Sequence, residues 1–193
     1  PIRAMIERDG LNESTAAAIG RVLRGQRDVE DARLWYVEVT QNHPLWVQIQ
    51  DEFVQWLVDI GREAEAIAAG RNGLLRGRAE GASPAQELFL MRRLSLLLVE
   101  NGAGDEIVEG IELTKRTLEI EPGNAFAHRA LAVGYARLER MDDAERELHR
   151  AIELAPNDWR LRQSLGELLM GIGKEAEGAA VIKDAAKLRD ARH

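Results

Sequence analysis

The chain has 193 residues, of which 45% are hydrophobic and 31% are charged, and its net charge is −7. This length suffices for one large domain or two small ones with a buried core. The absence of cysteine excludes disulfides, thiolate metal sites and a cysteine nucleophile, and leaves the cellular compartment open. The negative charge argues against general nucleic-acid binding, which depends on neutralising phosphates, and no apolar run approaches the ~20 residues that cross a bilayer.

Residues 1–12 are too few for a pair of helices, so we expect an N-terminal tail or a short cap there. Beyond them, the prolines set a period. Pro156 follows Pro122 by 34 residues, and Pro44 precedes Pro122 by two such periods and about ten further residues. The spacing predicts repeats through the whole chain, with an insertion between Pro44 and Pro122.

The first two repeats occupy residues 13–80, and each is predicted to form two amphipathic helices. Repeat one carries apolar and small residues at helical spacing: Ala16, Ile19, Gly20, Leu23, Ala32, Tyr36 and Val39. Repeat two keeps Phe53, Val54, Leu57 and Ala66, but its second helix places Gly70 and Gly73 at packing positions. Glycine costs about 1 kcal/mol in a helix interior. We therefore expect Gly70–Gly81 to end that helix early or to form a hinge, the alternative being an ordinary helix of poor propensity.

The insertion is assigned to residues 81–90. The run Ser83-Pro84-Ala85-Gln86 has the form of a capping box with proline at the first helical position. It predicts that the insertion lengthens the next helix, to about Pro84–Glu100. Repeat three, within 91–124, keeps Leu94, Leu97 and Leu98 and is otherwise degenerate.

Repeat four, residues 125–158, is the clearest. Its first helix carries Leu131, Ala132 and Tyr135, and its second carries Ala144, Leu148 and Ala151 before Pro156. Asn124 is a candidate N-cap for the first of these helices, and Asn157 or Asp158 for the next repeat. Repeat five follows with Leu165, Gly166 and Leu169, and it has Gly178 at a position where repeat four has alanine.

This pattern resembles the tetratricopeptide repeat, in which large and small residues alternate on two helices before a proline. In repeat four only His128 matches the family pattern weakly, because the family prefers a large apolar residue at that position. The resemblance covers about 180 residues and implies an all-α fold, a right-handed superhelical solenoid of stacked antiparallel helix pairs. The implied organisation is a tail or cap (1–12), repeats one and two (13–80), an insertion (81–90) and repeats three to five (91–193).

The sequence offers no catalytic constellation. None of His43, His128, His149 and His193 has a second ligand at metal-binding spacing. The run Gly171-Ile-Gly-Lys-Glu lacks the Ser or Thr of a phosphate-binding loop. We therefore predict no metal, no cofactor and no enzymatic activity, and we interpret His128 as a partly buried core residue.

The resemblance implies that the first helix of each repeat lines a concave groove. The family's groove positions fall here on Ser14, Ala17, Arg21 and Arg24, then Gln48, Asp51, Gln55, Val58 and Asp59, then Arg92, Ser95 and Val99, then Phe126, Arg129, Val133 and Arg137, and finally Arg160, Gln163, Glu167 and Met170. We predict that Arg92, Arg129, Arg137 and Arg160 bind carboxylates, because arginine suits bidentate carboxylate recognition. Phe126 and Val133 are the predicted apolar contacts. The alternative is that arginine is simply frequent in this chain.

Trp35, Trp46 and Trp56 lie close together in the sequence. Large exposed aromatics at one end of a solenoid mark a partner surface, whereas buried ones fill the core between repeats. Both interpretations are open at this point.

We predict a non-catalytic protein-interaction module that binds a peptide or partner domain. The expected partner carries an acidic segment or a free C-terminal carboxylate. Nucleic-acid binding and membrane insertion are not expected, and a homo-oligomer is possible. Because nothing in the sequence resembles a complete enzyme, we also expect the chain to be a piece of a longer protein. The alternatives are a regulatory or docking region of a larger enzyme, such as a glycosyltransferase or sulfotransferase, and a self-associating assembly protein.

Overall fold

The computed structural model describes residues 10–25 and 29–191, and all regular secondary structure within these ranges is α-helical. Residues 1–9, most of the predicted tail, lie outside the described residues. The helices are α1 (Glu13–Arg24), α2 (Val29–Asn42), α3 (Val47–Asp59), α4 (Glu63–Ala79), α5 (Pro84–Asn101), α6 (Asp105–Ile120), α7 (Ala125–Arg137), α8 (Met141–Leu154), α9 (Trp159–Gly171) and α10 (Glu175–Asp190). None of the described helices is long and apolar enough to cross a membrane.

Side-chain caps begin several of these helices, as the sequence predicts. Asn124 Oδ1 accepts a hydrogen bond of 3.0 Å from the Ala127 N–H at the start of α7. Asp158, one of the two candidates for α9, accepts from the Arg160 N–H at 3.0 Å. Each cap satisfies a backbone donor that the helix itself leaves unpaired.

The predicted capping box of α5 is confirmed. The Ser83 N–H donates to Gln86 Oε1 at 2.9 Å, and the Gln86 N–H donates to Ser83 Oγ at 3.3 Å. Pro84 is the first helical residue, where its missing N–H costs no hydrogen bond. The helix extends to Asn101, one residue beyond the predicted end.

The expectation that α4 ends early within Gly70–Gly81 is wrong. The helix continues to Ala79, and Gly81 follows it with a φ of +82°. The reason is packing: a Cβ at Gly70 would lie 3.2 Å from Leu94 Cδ1, and one at Gly73 would lie 3.1 Å from Leu90 Cδ1. Glycine lets α4 approach α5 closely, and the buried contact offsets the poor helix propensity.

The chain divides into two compact units, Pro1–Leu94 (unit 1) and Ser95–His193 (unit 2), and the division falls within α5.

Unit 1 is built around an aromatic cluster. Tyr36 of α2 stacks on Phe53 and Trp56 of α3, with ring centroids 5.2 and 5.6 Å apart. Trp35 is half-buried, and its Nε1–H donates to the Ala16 carbonyl at 3.2 Å, while Trp46 stacks on His43. Of the two interpretations of these tryptophans, core packing is therefore the one that the structure supports.

The hydroxyl group of Tyr36 is buried without a hydrogen-bond partner among the described residues. It lies over Gly20 of α1, where a Cβ would come within 2.4 Å of the oxygen. Burial raises the pKa of Tyr36 to about 12, because ionisation would place a charge in the core.

The core of unit 2 contains the residues that repeats four and five predict. Leu131, Tyr135, Leu148, Leu165 and Leu169 are all buried in one cluster. Small residues bring paired helices close together, as between α9 and α10. A Cβ at Gly178 would lie 2.6 Å from the Gly166 carbonyl oxygen and 3.0 Å from the Met170 backbone nitrogen.

We predict that Gly178→Ala destabilises unit 2, although it restores the alanine found at this position in repeat four. The new methyl group meets backbone atoms of α9, and overpacking of about 1–3 kcal/mol exceeds the gain of about 1 kcal/mol in helix propensity. Chemical denaturation measures the loss. Gly171→Ala is the control, because apart from the adjoining backbone of its own helix nothing lies within 4 Å of its added Cβ. Equal effects of the two substitutions would contradict the packing argument.

We also predict that Tyr36→Phe stabilises the protein at neutral pH by about 1 kcal/mol, since it removes a buried hydroxyl that lacks a partner. The wild type should lose stability as pH rises from about 10, the unfolded pKa of tyrosine, towards the folded value of about 12. Over that range the unfolded chain releases a proton that the folded chain retains. Urea denaturation at several pH values up to about 11 should show a smaller loss in the variant. Parallel pH profiles for the two proteins would refute the assignment.

Candidate functional site

Four predicted contact residues form one stripe along α7. Phe126, Arg129, Val133 and Arg137 follow one another at intervals of three or four residues, which places them on one side of the helix. Phe126 is 59% exposed, whereas Val133 is partly buried against the core of unit 2. The stripe therefore combines an exposed aromatic ring with two guanidinium groups.

Hydrogen bonds tie the stripe to two neighbouring helices of unit 2. Arg129 Nε donates to Ser164 Oγ of α9 at 3.3 Å. An Arg137 guanidinium N–H donates to the Val99 carbonyl oxygen, near the C-terminus of α5, at 3.1 Å. The positive charge of Arg137 is favourable there, because a helix C-terminus carries partial negative charge.

Among the described residues, Arg129, Arg137 and Arg160 have neutral partners only. Within the described part of the chain, Arg129 and Arg137 contact a hydroxyl group and a carbonyl, and Arg160 lies over the ring of Trp159 at 4.8 Å. By contrast, Arg140 and Arg150 of the same unit pair with Asp143 and Glu153. We call Phe126, Arg129, Val133, Arg137 and Arg160 the α7–α9 surface.

Arg92 belongs to unit 1, where it is exposed on α5. The structure thus brings Arg129 and Arg137 into one stripe and joins that stripe to α9. Arg92 as a carboxylate contact stays a prediction from the sequence.

Two groove positions predicted on α5 are wrong. Ser95 and Val99 are 3% and 0% exposed. A Cβ added at Gly110 would lie 2.9 Å from Val99 Cγ1, and one added at Gly134 would lie 3.1 Å from the same atom. The Val99 side chain is therefore enclosed by α6 and α7.

Groove positions in unit 1 are paired within the protein. Arg21 of α1 lies 2.8 Å from Glu52 of α3, and Arg24 lies 3.6 Å from the same carboxylate. Ala17, another predicted groove position, is buried. These side chains hold α1 to α3.

Arg93 is the principal residue that the sequence argument missed. Its Nε and Nη2 donate to the two carboxylate oxygens of Asp51 at 2.6 and 2.8 Å, and its Nη1 donates to Gln55 Oε1. The carboxylate of Asp51 raises the pKa of Arg93. Asp51 and Gln55, both predicted to line the groove, are thus engaged by α5. No local signal reveals a partner that lies 42 residues away.

His128 is partly buried in unit 2, as predicted, with Nδ1 2.7 Å from Glu147 Oε2. Its side chain is 14% exposed. Among residues 10–25 and 29–191, no group of three or more histidine and acidic side chains could hold a metal ion.

Comparison with known proteins identifies the fold. No family model and no curated protein matches the sequence. The crystal structure of MamA matches with a TM-score of 0.70 and 21% identity, over 90% of this chain and 96% of that one. A tetratricopeptide repeat protein from Parabacteroides merdae matches with a TM-score of 0.74 and 19% identity, over 96% of this chain and 70% of that one. A thermophilic TPR protein from Thermus thermophilus matches with a TM-score of 0.64 and 18% identity, over 92% and 91% of the two chains.

The chain therefore has the all-α tetratricopeptide-repeat fold, which confirms the resemblance seen in the sequence. At these identities the likeness establishes the fold alone, and function has to be argued from the surface of this chain.

We predict that the Asp51–Arg93 pair contributes about 1 kcal/mol of coupling energy to the stability of unit 1. The two side chains are only 24% and 30% exposed and meet in bidentate geometry. A double-mutant cycle with Asp51→Asn and Arg93→Gln measures this coupling directly. The matched pair is Glu65 and Arg62, also in unit 1 but 48% and 38% exposed, for which we expect at most about 0.5 kcal/mol. Equal coupling in the two cycles would show that burial does not strengthen the pair.

Proposed function

We propose that this chain is a non-catalytic protein-interaction module and that the α7–α9 surface binds its partner. The observation that carries the proposal is the set of arginines whose charges are not neutralised within the described chain. Among the described residues, Arg129, Arg137 and Arg160 contact only neutral groups, whereas exposed arginines on α8 pair with acids.

The chemistry of these side chains indicates an acidic partner. A guanidinium group binds a carboxylate through two parallel hydrogen bonds, and such charge-assisted bonds are stronger than those to a hydroxyl or carbonyl. A carboxylate can therefore displace the weak 3.3 Å contact between Arg129 and Ser164. The proposed partner presents an acidic segment or a free C-terminal carboxylate.

Apolar contacts complete the proposed surface. Phe126 exposes 59% of its area beside the arginines, and Val133 lies about two turns further along the same side of α7. Aromatic and arginine side chains are the residues that most often dominate binding energy at protein interfaces. An acidic peptide with an apolar residue near its charge matches this combination.

Local charge also favours selective association. The protein has a net charge of −7, so a cluster of unneutralised cations gives one surface the opposite sign. Such a surface steers an acidic partner to itself during encounter, and this steering weakens as salt is added. The same net charge disfavours nucleic acid as the partner.

We predict that the double variant Arg129→Glu/Arg137→Glu lowers partner affinity at least about 100-fold, because each substitution replaces an attraction with a repulsion. Affinity capture from a lysate of the source organism, run in parallel with wild type and variant, identifies proteins that depend on these residues. Titration of the purified partner then gives the affinity, and far-ultraviolet circular dichroism checks that helicity is retained.

The matched control is Arg146→Glu/Arg150→Glu on α8, which changes the net charge equally in the same unit. Loss of binding in both double variants would indicate a general charge effect and not a site. Equal affinity of wild type and the Arg129/Arg137 variant would overturn the proposed surface. Capture of the chain alone, with a mass in light scattering that rises with concentration, would favour the self-associating alternative.

A further inference from the structure

Unit 1 contains a groove that no part of the proposed function uses. It lies between α2 and α4, with α3 as its floor, and its volume is about 210 Å³. We call it the α2–α4 groove. Its lining includes Val37 and Thr40 of α2, Phe53 and Leu57 of α3, and Ala69 and Arg76 of α4.

The groove exists because one side of α4 carries small residues. Ala68, Ala69 and Gly73 follow one another at helical spacing and all line the groove. The floor is fixed from below, since Gln50 Nε2 donates to the Pro44 carbonyl oxygen and the Gln50 side chain lies directly against Gly73. A preformed concave space with an apolar floor is typical of a binding site.

The charged groups at one end of the groove neutralise one another. Arg33 Nε donates to Glu30 Oε1 at 2.7 Å, and the Glu65 carboxylate lies 3.3 Å from the Arg62 guanidinium. Among the described residues, this end offers no unpaired charge to a ligand.

The other end carries one positive charge with neutral partners. Arg76 Nε donates to Asn72 Oδ1 at 3.1 Å, and its Nη1 donates to the Gln41 carbonyl oxygen at 3.4 Å. Within the described chain, no carboxylate forms an ion pair with Arg76. Glu65 and Arg76 lie about three turns apart on the same side of α4, so the groove has an apolar floor, polar side chains such as Thr40 and Asn72 in its walls, and a cationic end.

We propose that the α2–α4 groove binds a single apolar group that ends in a free carboxylate. The carboxylate pairs with Arg76, and the apolar group packs on Val37, Phe53 and Leu57. The groove volume of about 210 Å³ is smaller than that of most sites for drug-sized ligands. It suits a ligand about the size of one amino-acid residue. Both a C-terminal residue of a protein and a small free acid present this chemistry.

The site is separate from the α7–α9 surface. Its residues belong to α2, α3 and α4 of unit 1, whereas the proposed partner surface belongs to unit 2. Either proposal can therefore fail without the other.

The test uses the full chain with N-acetyl-L-leucine as the probe. The comparison compound is N-acetyl-L-leucinamide, in which an amide replaces the carboxylate. Titration followed by NMR should shift resonances of groove residues, with the acid binding at least about tenfold more tightly than the amide. Arg76→Gln should abolish that preference. Arg78→Gln, on α4 but outside the groove lining, should preserve it. Ala69→Leu should weaken binding of both probes by filling the groove, with thermal unfolding as the check that it folds.

A second arm distinguishes the two sources of the ligand. The peptide Ser-Gly-Ser-Gly-Leu is compared with its C-terminal amide and with N-acetyl-L-leucine. Binding of the free peptide as tight as that of N-acetyl-L-leucine supports a protein C-terminus as the ligand, and binding of N-acetyl-L-leucine alone supports a small free acid. The proposal is overturned if N-acetyl-L-leucine does not bind, if acid and amide bind equally, or if Arg76→Gln weakens binding no more than Arg78→Gln.

Discussion

Close approach of paired helices is the constraint on which this structure depends. A two-helix repeat cannot bury an apolar face by itself, so its backbones must come near enough for short side chains to close the core. At Gly178 the approach is so close that the α9 backbone occupies the space that a methyl group would need. Packing of successive repeats also brings their side chains within reach of one another, as where Arg129 donates to Ser164 in the adjacent repeat. The proposed binding surfaces thus depend on the packing.

The two units use their arginines differently. In unit 1, Arg21 and Arg93 reach across to acids of α3 and hold helices together. In unit 2, Arg129 and Arg137 reach across to neutral oxygens and keep their charge available. Arginine therefore stabilises helix packing in unit 1 and, as we propose, binds a partner in unit 2. The difference arises from α3, which supplies the carboxylates.

The sequence predicts local features of this fold well. The 34-residue proline period, the cap at Asn124 and the capping box at Ser83 depend only on the order of residues along the chain, and the structure confirms the helix starts. Features that depend on distant contacts were missed. The glycines of α4 fit because of Leu90 and Leu94, and Arg93 meets a partner in another repeat. The candidate site was predictable as a set of residues on α7, but the neutral partners that distinguish its arginines became visible only in three dimensions.

The glycine-rich α4 also has a consequence for the order of folding. An isolated helix of such composition is unstable in water, because nucleation is costly and each glycine adds to the cost. Its glycines pack on Leu90 and Leu94, which lie in α5 and are synthesised later. During translation, α4 can first pack on α3 through Gly73 and Gln50, and its contacts with Leu90 and Leu94 form once α5 is present. The N-terminal repeats complete their core only when a helix that continues into the other unit is present.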